Sequence, residues 1–262
     1  MIPAQRRAKI LETLRHTNFL SLKDAVELIG ASEATIRRDF KYLEKTGSIR
    51  CVRGGVSLAE QNQDEALPYP LRTQLLSSAK VQIARQAVRL MTPPQTCFID
   101  GGTTPAAMAE FIPDEEIRII TNSLRFVRNM EDRTINWNKL EIYVAGGFYY
   151  GKSGILLGPP TERYVQEHHA DIAFISAAGY GEDGIYNTTE LVRNIEQAMI
   201  TNADKVVLLA DHTKFGRRSM CHVAPLDVVD YLVIDQLPAD PSRFQEVMQA
   251  AEVEVILPKA TS

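Results

Sequence analysis

The 262-residue sequence has no apolar run near the roughly 18 residues that a membrane-spanning helix needs, which excludes a helical membrane anchor. Its opening, MIPAQRRAKILETL, places Arg6, Arg7 and Lys9 ahead of no apolar signal core, so the chain is expected to stay in the cytoplasm. Cysteine is scarce. Cys51, Cys97 and Cys221 lie far apart without paired spacing, which indicates neither a disulfide framework nor a four-ligand zinc site. Histidine is equally thin: His168 and His169 are adjacent and would face different ways on a helix, while His212, Cys221 and His222 lack zinc spacing. No metal and no cofactor is therefore expected. The single tryptophan, Trp137, falls in a connection and is expected to pack. Neither an internal repeat nor a low-complexity tract is present.

What the chain does have is an uneven distribution of charge. Residues 1–56 carry eleven Lys or Arg against six Asp or Glu, whereas the remainder carries eighteen against twenty-seven. A basic head on an acidic body suggests that the head alone meets nucleic acid.

Three helices are readable in that head. Residues 4–16 gather Ile10, Leu11 and Leu14 on one face, and Ser21 with Asp24 has capping-box spacing for a second helix bearing Leu22, Ala25, Val26 and Ile29. After the turn IGAS, Ser32 can cap a third helix in which Ile36, Phe40 and Leu43 face inward. Its wet face carries Ser32, Glu33 and Thr35 in the first turn and Arg37, Arg38 and Lys41 behind them, as expected of a recognition helix entering the major groove. SIRCVRGGVSL then alternates around Arg53-Gly54-Gly55, a hairpin that would place Arg50 and Arg53 against phosphates as a wing. An ordinary helical surface followed by a hairpin is the competing reading.

Residues 59–76 are polar at their start and contain two prolines, which predicts a linker. A helix over about 77–91 follows, and then short apolar segments, TCFID, IRIIT, LEIYVAG, IAFISA, KVVLLAD and YLVID, alternate with helices. This pattern predicts a mainly parallel α/β sheet, with ligands beyond the carboxyl ends of its strands. There DGGTTP offers two glycines for close backbone approach, the Thr103 and Thr104 hydroxyls, and Pro105 at the first helical position, a loop suited to an anion or equally to a plain capped turn. Asn122 and Ser123 end a further strand, and Asp211 and Lys214 another. GGFYYGKS satisfies the Walker A spelling, yet GILLGPP behind it cannot start the helix that a phosphate-binding loop requires.

SLKDAVELIGASEATIRRDFKYLEKTGSIRCVRGGV closely resembles the winged helix-turn-helix of the DeoR family of bacterial transcription regulators, although Arg53 stands where its members often carry His. DGGTT from Asp100, TNS from Thr121, Gly146-Gly147, Ala177-Ala178-Gly179 and DHTKFG from Asp211 are similar to successive segments of that family's sensor domain. The resemblance implies a winged helix-turn-helix over 1–58, a linker over 59–76, and over 77–262 an α/β sensor domain similar in fold to ribose-5-phosphate isomerase. It further implies double-stranded operator DNA as partner, a phosphorylated sugar or sugar acid as effector, a homo-oligomer, and repression of a catabolic operon. Thr103 and Thr104 would hold the phosphate, Asn122, Ser123 and Gly147 would line the pocket, and Asp211 and Lys214 would engage the ligand. Asp100, Gly102 and Gly179 lie in the same segments, and Glu190 resembles an acidic position of the pattern. The alternative is an isomerase-like enzyme. Against it, SAAGY from Ser176 lacks the paired carboxylates that would move a proton between carbons, though Glu196 falls near an isomerase's catalytic glutamate.

Overall fold

The computed structural model describes residues 1–17, 19–59 and 69–258, and the chain divides into two compact units, Met1–Ser77 and Ser78–Ser262. The first unit runs α1 (Pro3–Thr17), β1 (Phe19–Ser21), α2 (Leu22–Ile29), α3 (Glu33–Lys45), β2 (Ile49–Val52), β3 (Gly55–Leu58) and α4 (Tyr69–Gln74). Ser21 caps α2 by accepting from the Asp24 amide at 3.1 Å, and Gly30 ends it in the left-handed region at φ 68°, which lets the chain turn into α3. Ile10, Leu14, Ile36 and Leu43 are fully buried, so the apolar faces predicted for the three helices do meet in one core. The three strands form an antiparallel sheet in the order β1-β3-β2, giving the predicted hairpin a third strand.

Of the predicted linker, residues 60–68 lie outside the described residues. Residues 69–76 differ from the expectation: α4 is helical there, and Leu71 and Leu75 are each 2% exposed in the core of the first unit. Pro70 does not oppose this, because it occupies the first turn of α4, where its missing N–H costs no helical bond.

The second unit continues with α5 (Ser77–Ala87), β4 (Gln95–Ile99), α6 (Thr103–Ala107), β5 (Ile117–Thr121), α7 (Leu124–Glu131), β6 (Leu140–Val144), β7 (Phe148–Tyr150) and β8 (Ile155–Leu157). It then runs α8 (Pro159–Gln166), β9 (Ile172–Ser176), β10 (Gly179–Gly181), β11 (Gly184–Asn187), α9 (Glu190–Thr201), β12 (Val206–Leu209), β13 (Cys221–Ala224), β14 (Tyr231–Val233), α10 (Pro241–Ala250) and β15 (Glu254–Ile256). Seven strands form a parallel sheet in the order β15-β14-β12-β9-β4-β5-β6. Six were readable as apolar runs; β15 is a three-residue edge strand with an exposed Glu254 and gives no such signal.

Alternation along the strands builds the core on both faces. Phe98, Ile120, Ile175 and Leu208 pack with Ile195, Met199 and Phe244 of α9 and α10, while Cys97, Ile99, Ile119, Phe174 and Leu209 pack with Ile83 of α5 and Phe126 of α7. A sheet covered on both sides explains why its strands read as continuous apolar segments. Trp137 departs from expectation: it is 50% exposed in the connection between α7 and β6. The Walker-like stretch is also resolved. Phe148–Tyr150 pairs antiparallel with β8, and Lys152 and Ser153 form the hairpin turn rather than the start of a helix.

Candidate functional site

The exposed side of α3 is built by its inward side. With Ile36, Phe40 and Leu43 buried, helical spacing turns Glu33, Arg37, Arg38 and Lys41 to solvent. Ser32 is the N-cap and accepts from the Thr35 amide at 3.4 Å, while its hydroxyl lies 3.0 Å from that of Thr35, so both residues shape the helix entrance. Glu33 pairs with Arg37 at 2.7 Å, both side chains being more than half exposed. Arg38, Lys41 and Arg53 are exposed and make no hydrogen bond or ion pair among the described residues. Arg50, on β2, lies exposed with its Nε donating to Ser57 Oγ at 3.0 Å.

Not all of the basic head is available in this way. Arg6 and Arg7 of α1 donate to the two oxygens of Asp39 at 2.8 and 2.7 Å, and the Arg7 guanidinium stacks 3.7 Å over the Tyr42 ring. Asp39 is 1% exposed. These arginines therefore satisfy a buried carboxylate and fasten α1 to α3, a role that the count of charges did not reveal.

In the second unit the chain passes from β4 to β5 and β6 on one side, then crosses to β9, β12, β14 and β15 on the other. The reversal lies between β4 and β9, and in open α/β sheets the crevice beyond the carboxyl ends at such a reversal receives ligands. Asp100 leaves β4 and Ser176 ends β9; the Ser176 hydroxyl donates to Asp100 Oδ2 at 2.6 Å and its amide does so at 3.3 Å. Gly102 stands against this pair, because a β-carbon there would run into Ser176 Oγ. It is the N-cap of α6 and supplies no side-chain cap to the helix. Thr103 is half-buried and Thr104 only 2% exposed. Pro105 is the third helical residue rather than the first, equally harmless because the first four amides of a helix lack internal partners.

One strand further, Asn122 is 1% exposed, donates from Nδ2 to the Leu156 carbonyl at 3.1 Å, and leaves Oδ1 buried without a partner among the described residues. Ser123 instead caps α7, accepting from the Phe126 amide at 3.1 Å. Gly147 and Gly179 are required by packing: a side chain at the first would meet Thr161 and the Leu157 carbonyl, and at the second the Arg217 backbone. Glu190 is exposed in the first turn of α9, where a carboxylate suits the positive end of the helix.

Beyond β12, Asp211 is 3% exposed and accepts at Oδ1 from the Thr213 hydroxyl at 2.5 Å and the Thr213 amide at 3.1 Å. Lys214 Nζ donates to the Ala177 carbonyl at the end of β9. Burial pushes the Asp211 carboxyl upward, but Lys214, the Thr213 hydroxyl and Lys80 outweigh it and hold the group below the usual range. Arg217 joins them: burial lowers its pKa and Asp211 pulls it back. Three cations, Lys80, Lys214 and Arg217, thus interact electrostatically with the Asp211 carboxylate. Sequence reading missed Arg217, and it offered Lys80, with Arg72, only as a link between the sensor and the head. For Lys80 a signal existed, since it falls in the buried stripe of α5 three, four and seven residues before Ile83, Ala84 and Ala87. Glu196 is fully buried and accepts from Asn187 Nδ2 at 2.7 Å.

Known proteins are similar to this chain in sequence along most of its length. Residues 6–62 match the DeoR-like helix-turn-helix domain and residues 76–236 the DeoR C terminal sensor domain. The HTH-type transcriptional regulator GlpR of Haloferax volcanii is 31% identical over 262 residues, covering 98% of each chain. The HTH-type transcriptional repressor GlcR of Bacillus subtilis is 30% identical over 238 residues, covering 91% of this chain and 90% of that one. Among solved structures, ribose 5-phosphate isomerase A from Methanocaldococcus jannaschii overlaps 53% of this chain and 54% of its own, with 16% identity and a TM-score of 0.37. With both domains matched in chain order and relatives alike over nearly their full length, the chain belongs to the DeoR family of helix-turn-helix transcriptional regulators.

Proposed function

We propose that this regulator represses a sugar or sugar-acid catabolic operon and is released from its operator by a phosphorylated intermediate of that pathway. Membership of a family of regulators sets the isomerase alternative aside; the chain is not an enzyme. In this reading residues 1–58 bind DNA and residues 77–262 sense the effector, in the cytoplasm. Ser32, Glu33, Thr35, Arg37, Arg38 and Lys41 present the groove-facing surface of α3, and Arg50 and Arg53 the wing. A dimer or tetramer meets the operator, since a two-fold symmetric site needs at least two heads.

The observation that carries the sensing role is the convergence of Lys80, Lys214 and Arg217 on the Asp211 end of the crevice, beside the uncapped start of α6. Cations and free amides there suit a phosphate dianion, and charge-assisted hydrogen bonds to it are roughly twice as strong as neutral ones. Asp211, Asn122 and Asp100 supply acceptors for sugar hydroxyls; Thr103, Thr104, Gly102, Ser123, Gly147, Gly179 and Glu190 complete the proposed set, with the glycines and Ser123 shaping the walls. Coupling of about 1 to 3 kcal/mol between effector and DNA is the usual scale, a change in DNA affinity of about 5- to 150-fold.

The test is operator binding with and without a panel of pentose and hexose phosphates, comparing wild type with Thr103→Val. One or a few phosphates should release wild type, their dephosphorylated sugars should not, and the variant should stay bound. A folded Thr103→Val protein that lets go at the wild-type concentration would remove DGGTT from the sensor.

A further inference from the structure

Tyr180 is held by its backbone on several sides, and its side chain is fully buried. Its carbonyl accepts from the Gly216 amide at 2.8 Å, its backbone pairs with Ile185 and Phe215, and its ring lies 5.7 Å from that of Phe215. Yet its hydroxyl has no hydrogen-bond partner among the described residues. A buried unpaired hydroxyl costs folding free energy that phenylalanine would avoid, so its presence calls for a role. Burial, then Asp211 and then Asp235, raise the phenol well above its ordinary pKa, which keeps it a neutral donor.

Lys80 is a second polar group in an apolar setting. It is 8% exposed in the apolar stripe of α5, and it bears electrostatically on the same Asp211.

We propose that Tyr180 and Lys80 belong to the effector site, the phenol donating to a sugar hydroxyl that itself donates to Asp211, and the Lys80 ammonium sharing the phosphate with Lys214. This rests on the sensor reading above and narrows its ligand. Asp211 can only accept, and the Tyr180 phenol, kept neutral by burial and by the charges of Asp211 and Asp235, is set to donate. A hydroxyl satisfies both at once, whereas a carboxylate oxygen placed there would be repelled by Asp211. The ligand is thus a phosphorylated polyol with a free hydroxyl at this position, and any acid group it carries lies elsewhere.

Calorimetry on the full chain tests this, using inorganic phosphate and the tightest-binding member of a panel of pentose and hexose phosphates. Tyr180→Phe should weaken the sugar phosphate at least tenfold, leave inorganic phosphate unchanged, and melt without ligand at or above the wild-type temperature. Lys80→Met should weaken both probes about tenfold, and Lys80→Arg should restore inorganic phosphate. Sugar-phosphate affinity within twofold of wild type in Tyr180→Phe overturns the assignment of the phenol, and so does a loss that comes with a lower melting temperature, the mark of a packing role. Undiminished phosphate binding in Lys80→Met, or no rescue by arginine, overturns that of the lysine. If wild type binds none of these probes, the sensor reading itself falls.

Discussion

The two units treat positive charge in opposite ways. On α3, Arg38 and Lys41 stand in water with no partner among the described residues, and Arg37 has only an exposed Glu33. In the sensor domain, Lys80 and Asp211 are buried, Arg217 is partly so, and against the push of burial the charges of Lys214 and Lys80 help hold the carboxyl below its usual range. Exposed cations suit a long polyanion whose counterions they displace, an interaction that salt weakens steeply. Buried cations held by a carboxylate suit one small anion, because their desolvation has been met by the fold before the ligand arrives. The same residue types therefore serve one unit as a surface and the other as a pocket.

Neighbouring residues 38 and 39 put the sharpest edge on that contrast. Asp39→Ala removes the carboxylate that gathers Arg6 and Arg7, so the first unit should lose about 3 kcal/mol, the low end for breaking a buried pair because both arginines can reach water. Denaturant unfolding reads this directly, and an unchanged midpoint would mean that the clamp contributes nothing. Arg38→Ala should do the reverse: unfolding like wild type, with weakened operator binding. A lost phosphate contact lowers the salt slope by about 0.9, and a lost base contact relaxes specificity by about 1 to 3 kcal/mol. Wild-type binding by this variant would remove Arg38 from the DNA surface.

Much of this was legible in the sequence, for a physical reason. Helix periodicity in the head and continuous apolar strands in the body are local patterns, and each appears in the structure with its apolar face inward. Motifs at strand ends, Asp100 and Asp211 among them, follow from where such strands stop. Pairings across the chain were not legible. Nothing near Ser176 in sequence announces its bond to Asp100, 76 residues away, and nothing near Asp39 announces that Arg6 and Arg7 donate to it. The clues were polar residues in apolar stripes: Asp39 lies three after Ile36 and four before Leu43, and Lys80 three before Ile83. A charge at such a position is either matched or functional, and only the fold says by what.

The smallest expected effect bears on the boundary between the two uses of charge. Glu33 and Arg37 form the exposed pair of α3 at the i,i+4 spacing, worth only about 0.2 to 0.5 kcal/mol to the helix. Glu33→Gln should therefore leave unfolding nearly unchanged. Its effect on DNA should be larger than on stability, because the substitution removes a negative charge facing phosphates and frees Arg37 to meet them. Non-specific affinity should rise at low salt, with a salt slope steeper by about 0.9 if Arg37 gains one phosphate. Discrimination between operator and random DNA should fall correspondingly, since a phosphate contact carries no sequence information. If affinity for both DNAs instead drops, Glu33 is a base-reading acceptor, Arg37 is its support, and the first turn of α3 reads sequence through a carboxylate. Fluorescence anisotropy with operator and scrambled duplexes across a salt series separates the two outcomes.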